Sequence, residues 1–239
     1  MTNNTTKHQD ENTSGQADSH LRQRLEQAVQ FISQGIAEHG LSVPLLGHGM
    51  MQFATITQSF PVPDDVECTP GCTYCCHTRV STSIPEVLII AQQLRLNLEP
   101  PVLTQIQQNI HGMVEHGDPM RLEWWLENKT PCPFLDDGQE QLCLIYEIRP
   151  FTCRSHHSTA ATACEQGFEE HRAMDVPCYP KLQQATDLYS TAFMIAMRNH
   201  GLTSFYVGFI AALDIALGDD TAAGRWLAGQ DVFRNAEIA

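Results

Sequence analysis

The sequence predicts an all-α fold, a helical domain carrying a loop-rich cysteine site, and three observations lead to it. Apolar residues recur at helical spacing in segments bounded by capping residues, prolines and glycines. No alternating strand pattern of useful length interrupts them. Eight of the nine cysteines fall between Cys68 and Cys164, in stretches broken by proline, glycine and aspartate.

Taken in order, residues 1–18 are polar and charged types with almost nothing to bury, which predicts a disordered tail ahead of a single helical domain over 19–239. From Ser19, a candidate N-cap, the apolar positions Leu21, Leu25, Ala28, Val29, Ile32 and Ile36 define an amphipathic helix, with Gly40 as its stop. Leu41 to Phe60 is apolar but carries Pro44 and two glycines, so a short helix followed by a loop is expected. Pro61 and Pro63 then forbid a helix running into the first cysteines. Ser83, Ile84, Pro85 and Glu86 form a capping-box signature ahead of EVLIIAQQLRLNL, where the run Val87 to Ala91 implies burial on all sides. Pro100 and Pro101 open a further helix ending near Gly117, and MRLEWWLEN makes a shorter one. Beyond the cysteines, KLQQATDLYSTAFMIAMRNHG and SFYVGFIAALDIALG read as a helix pair stopped by Gly201 and Gly218, and TAAGRWLAGQDVF closes the chain.

Charge and length exclude several function classes. With 28 acidic against 14 basic residues the formal charge is -14, which disfavours binding to nucleic acid or to an anionic membrane surface. The most apolar window, Phe205 to Leu217, is too short to span a bilayer and contains Asp214. The N-terminus lacks the apolar stretch of a secretory signal, so a cytoplasmic location is expected. In a reducing compartment dense cysteine points to metal or redox chemistry rather than to structural disulfides. At 239 residues the chain can bury a core without such staples.

The cysteines form two groups, CTPGCTYCC at 68–76 and CPFLDDGQEQLCLIYEIRPFTCR at 132–154, followed by Cys164. Separations of two to four residues let two sulfurs meet one tetrahedral ion, and Cys68, Cys72 and Cys75 are spaced that way, with Gly71 and Thr69-Pro70 supplying a tight turn. Neighbouring side chains diverge, so Cys75 and Cys76 suit two nearby metals, or one metal and one free thiol. In the second group Pro131, Pro133 and the DDG at 136–138 turn the chain, Ile145, Tyr146 and Arg149 share a helical turn, and Pro150 turns Cys153 back toward the site. Arg149 and Arg154 either offset thiolate charge or pair with Glu147, Asp136 or Asp137. Of the eleven histidines, His77, His156 and His157 lie near cysteines and are candidate fourth ligands.

The order C-x3-C-x2-C-C, then CPFLDDG, then C-x-I-Y-x-x-R-P-x-x-C-R and the cysteine of ACEQG, resembles the YkgJ-type cysteine-cluster family, a zinc- or iron-chelating domain. The resemblance covers residues 68–164 and implies Cys68, Cys72, Cys75, Cys76, Cys132, Cys143, Cys153 and Cys164 as metal ligands. Cys178, in DVPCYP, lies outside that motif and reads as a spare thiol, a substitute for Cys164 or, most simply, a buried small hydrophobe.

Thiolate sites suit zinc, iron and iron-sulfur clusters alike, and all three stay open. The first functional reading is a metal-binding protein whose metal is structural, sensing or delivered. The alternative is a cluster-dependent transferase acting with S-adenosylmethionine, since flagellin lysine N-methylases carry a similar cysteine cluster. Against it, the sequence holds no Gly-rich strand-turn-helix loop. A thiol redox protein using Cys75 and Cys76 would require a CxxC beside a βαβ pattern, which is not seen.

Overall fold

The computed structural model describes residues 6–136, 138 and 142–238, with side chains from Ser19 onward. Helix α1 spans Thr6–His39 and buries Ala28, Ile32 and Ile36. Gly40 ends it as expected, at φ +74, with its N–H on the Ile36 carbonyl at 2.9 Å. The tail expected over 1–18 falls on residues described as backbone only or lying outside the described range.

Helix α2, Val43–Gln58, is longer than expected. Pro44 sits in its first turn, where the missing N–H costs nothing, and Ser42 caps it by accepting from Leu45 N. The two glycines do not break it because they face neighbours. A Cβ on Gly47 would stand 3.7 Å from Ile89, and one on Gly49 would stand 3.4 Å from Phe193, ordinary contact distances, so both lie on the packed side of α2, where tertiary contacts outweigh the low helix propensity of glycine.

After the first cysteines a short strand β1, Ser81–Ser83, leads into helix α3, Ile84–Asn97. The capping box forms as predicted, with Glu86 accepting from Ser83 N at 3.1 Å and Ser83 Oγ at 2.6 Å. Residues Ile84 to Ala91 are all buried, which makes α3 the central element of the core. Helix α4, Pro100–His116, lays Ile106 and Ile110 against it, and α5, Leu122–Asn128, buries Trp125 with its indole N–H on the Pro119 carbonyl at 2.9 Å.

Gly117 separates α4 from α5 for a steric reason. A Cβ there would lie 2.7 Å from the Met113 carbonyl oxygen and inside the contact radius of the Trp124 indole. Gly117→Ala is therefore expected to cost about 1–3 kcal/mol in urea denaturation. An unchanged midpoint would show that this turn relaxes freely.

Two short helices carry cysteines, α6 at Phe151–Ser155 and α7 at Ala161–Glu169. Helix α8, Pro180–Asn199, then runs through the core against α1 and α6. The predicted last pair needs one correction. Its second segment begins as strand β2, Tyr206–Gly208, and turns helical only as α9, Phe209–Gly218. Strand β2 pairs antiparallel with β1, Thr82 opposite Val207, and a three-residue strand is too short to leave an alternating pattern. Helix α10, Ala222–Leu227, seats the fully buried Trp226, whose indole N–H donates to Thr203 O at 2.9 Å. The fold class is all-α with this small sheet added. No helix among the described residues is long and apolar enough to cross a membrane.

Candidate metal centre

The first cysteine group is a series of turns. Gly71 takes φ +87, a conformation open to glycine at little cost, so that Cys72 N can reach the Thr69 carbonyl at 3.0 Å. The predicted tight turn is therefore present. A 3₁₀ turn, Tyr74–His77, follows, with Cys76 N on the Thr73 carbonyl at 2.8 Å. The outgoing chain enters β1, so this loop hangs directly on the sheet and α3.

The second group is held by a narrow backbone ladder. Asp136 N donates to Leu142 O and Leu144 N to Phe134 O, each at 2.8 Å, which sets Leu135 opposite Cys143 and keeps Cys132 and Cys143 on neighbouring strands of chain. Phe134, fully buried against Phe209, anchors the ladder to the core. The turn expected at 136–138 is seen as Asp136 Oδ1 accepting from Gly138 N at 3.1 Å, while Asp137 lies outside the described residues. Tyr146–Ile148 makes the predicted helical turn, and Pro150 bends the chain into α6, which carries Cys153.

Glu86 joins this second group to the core, a role the sequence did not reveal. Its carboxylate, 1% exposed, accepts from Ser83, the N-cap of α3, and also from Phe151 N at 2.8 Å, with Ser190 Oγ at 3.4 Å. One buried anion thus serves the orphan N–H groups at the starts of two helices, one of which carries Cys153.

The two groups meet. Cys132 N donates to the Cys76 carbonyl at 2.7 Å, and Cys75, Cys76, Cys132, Cys143 and Cys153 line a single cavity of about 110 Å³ together with Arg149. Cys68 is fixed from the far side, its sulfur accepting from Ser158 N at 3.1 Å and lying 3.8 Å from the His156 carbonyl. Cys164, on α7, opens with Cys75 onto a second cavity of about 300 Å³. As placed, no three Cys, His, Asp or Glu side chains among the described residues stand close enough to chelate one ion.

Burial raises the thiols of Cys68, Cys72, Cys132, Cys143 and Cys153 above the ordinary range, Cys153 to about 12. For Cys75 the larger cause is its hydrogen bond with Cys76, and burial comes second. Mutual repulsion acts beneath burial and sorts the sulfurs. Cys72 is raised by Cys68, Cys75 and Cys164, whereas Cys132 is raised by Cys153, Cys143 and Cys75. Cys75 belongs to both sets.

The two arginines divide the roles that the sequence left open. Arg154 is buried and donates to the Arg149 carbonyl at 3.0 Å and to the Glu147 carbonyl, so it clamps the loop through backbone oxygens. Arg149 rests its guanidinium 4.0 Å from the Tyr146 ring centroid and opposes the upward shifts of Cys68, Cys75, Cys143 and Cys153. Its Nε is buried without a protein partner. A cation beside four thiols fits a site built for thiolate charge.

Of the flanking histidines, His77 is engaged structurally, its Nδ1 3.0 Å from the Thr73 carbonyl and its ring edge-on to Phe168. His156 stays among sulfurs and lines both cavities, and burial lowers its pKa, favouring the neutral imidazole that a metal or a thiolate can use. Soft donors, a compensating guanidinium and walls such as Trp125 and Phe209 suit a zinc or iron ion.

No curated protein and no solved structure matches the chain. A family model does match, over residues 67–179, and it is described as "CxxCxxCC: Putative zinc- or iron-chelating domain". Both cysteine groups, the ladder between them and helices α6 and α7 lie within those limits, so the segment that matches this family's model takes in the whole candidate centre.

Proposed function

We propose that the protein chelates zinc or iron through two facing groups of thiolates, with Cys68, Cys72, Cys75, Cys76, Cys132, Cys143, Cys153 and Cys164 as ligands. The observation that carries the reading is the junction of the two groups. Segments 56 residues apart in the chain are joined by the Cys132–Cys76 backbone hydrogen bond, and five thiols share one small cavity. Closure on an ion takes rotation of thiols about Cα–Cβ and release of their protons. The ion supplies a cross-link between the two loops. Arg149 supports it by offsetting the charge that accumulates when several thiolates gather.

The test is anaerobic purification with elemental analysis and a visible spectrum. Zinc without colour marks a simple chelate, whereas iron with sulfide and broad visible absorption marks a cluster. Protein free of zinc and iron after loading with either metal under anaerobic conditions would overturn the reading.

One feature favours a second reading, the transferase acting with S-adenosylmethionine. Cys75 and Cys164 open onto the cavity of about 300 Å³, where Arg79, Lys129 and Arg172 also stand. Isothermal titration of the iron-loaded protein with S-adenosylmethionine tests it, and the absence of binding would remove it.

A further inference from the structure

We propose that Cys178 is a ninth thiol ligand of the centre, completing with Cys68, Cys72 and Cys164 one four-cysteine position distinct from the five thiols of the small cavity. This rests on the chelation reading above and assigns the sulfurs within it.

A count of thiols by place leads to the assignment. Five cysteines line the small cavity, which leaves Cys68, Cys72 and Cys164 outside it. Three thiols leave a tetrahedral ion one ligand short. Cys178 is paired through its backbone with the segment that contacts Cys68. Its backbone forms an isolated antiparallel bridge with Ser158, the residue whose N–H holds the Cys68 sulfur at 3.1 Å. The adjacent pairings, Tyr179 N on His157 O at 2.8 Å and Thr159 N on Pro177 O at 2.9 Å, fix it there. Its sulfur lies 3.8 Å from His156 Nδ1.

A buried small hydrophobe would be expected among aliphatic side chains. Cys178 is buried, 7% exposed, yet the His156 imidazole is the polar neighbour of its sulfur. His156, placed between Cys178 and the backbone contact of Cys68, can donate an N–H to a thiolate. It acts as a positioning residue for that sulfur.

The experiment compares cobalt loading of the wild type with that of Cys178→Ala and Cys178→His. The sulfur-to-cobalt charge-transfer band reports the number of thiolates on the metal. The proposal expects Cys178→Ala to bind fewer equivalents of cobalt or to lose charge-transfer intensity per cobalt. It expects Cys178→His to hold the metal with one thiolate fewer. A hydrophobic role predicts the reverse order, alanine tolerated with full loading and histidine disruptive, and that result would overturn the proposal. For a reading independent of variant folding, cadmium-substituted wild type should show scalar coupling between cadmium and the Cys178 Hβ protons. Coupling to other cysteines but not to Cys178 would overturn it as well. Failure of the wild type to take up any metal would count against the chelation reading itself, and the two failures are thereby distinguished.

Discussion

Cys143→Ser is expected to lose at least the ion of the small cavity and to destabilise the metal-loaded protein by about 3 kcal/mol or more, because metal-binding free energy becomes folding free energy. Serine offers a hydroxyl that stays protonated at neutral pH and is a poor donor to a soft ion. It also sits in the ladder opposite Leu135, where Leu144 N–Phe134 O and Asp136 N–Leu142 O can form without any metal. The loss should therefore appear with metal and shrink on chelation. Elemental analysis and urea denaturation, each with and without a chelator, check both parts. Cys72→Ser should behave alike at the other end of the site, where the Thr69–Cys72 turn also forms through backbone alone. Full metal content with an unchanged midpoint in either variant would remove that residue from the ligand set.

Glu86→Ala is expected to cost about 3 kcal/mol. The capping box contributes about 1 kcal/mol, and leaving the buried Phe151 N–H without an acceptor costs about 1–3 more. Since Phe151 begins the helix that carries Cys153, the variant should also bind metal more weakly than its stability loss alone explains. Ser83→Ala, which removes one donor and leaves the carboxylate in place, serves as the milder comparison at about 1 kcal/mol. A stability change below about 0.5 kcal/mol in Glu86→Ala would show that water replaces the carboxylate without penalty.

Helices α3, α4 and α8 were legible because their signals are local, with proline in the first turn and apolar spacing after it, and a glycine at or just past the end of α4 and α8. Helix α2 was underestimated because its proline and glycines weigh against a helix locally, whereas its packing on α3 and α8, with residues far along the chain, carries it. Strands β1 and β2 were missed for lack of length. At the site, the cysteine spacing and the Gly71 turn were readable, since they involve residues close in sequence. The role of Glu86 was not, because its partners Phe151 and Ser190 lie 65 and 104 residues away. The surroundings of Cys178 depend in the same way on Ser158 and His156.

The Ser158–Cys68 hydrogen bond spans 90 residues of chain, and it bears on the order in which the molecule assembles. Contacts of such high separation carry a loop-closure entropy that grows with the logarithm of the loop, so they form late unless something pre-organises them. An ion held across residues 68 and 164 would constrain the denatured ensemble as a cross-link of comparable span does, by about 4.7 kcal/mol. The same late formation holds for much of the helical core, where α1 packs on α8 and both α3 and α4 on α9 across long stretches of chain. The α2–α3 pair, closer in sequence, is the part free to form first, and a bound ion would bring the two cysteine groups together without waiting for the rest.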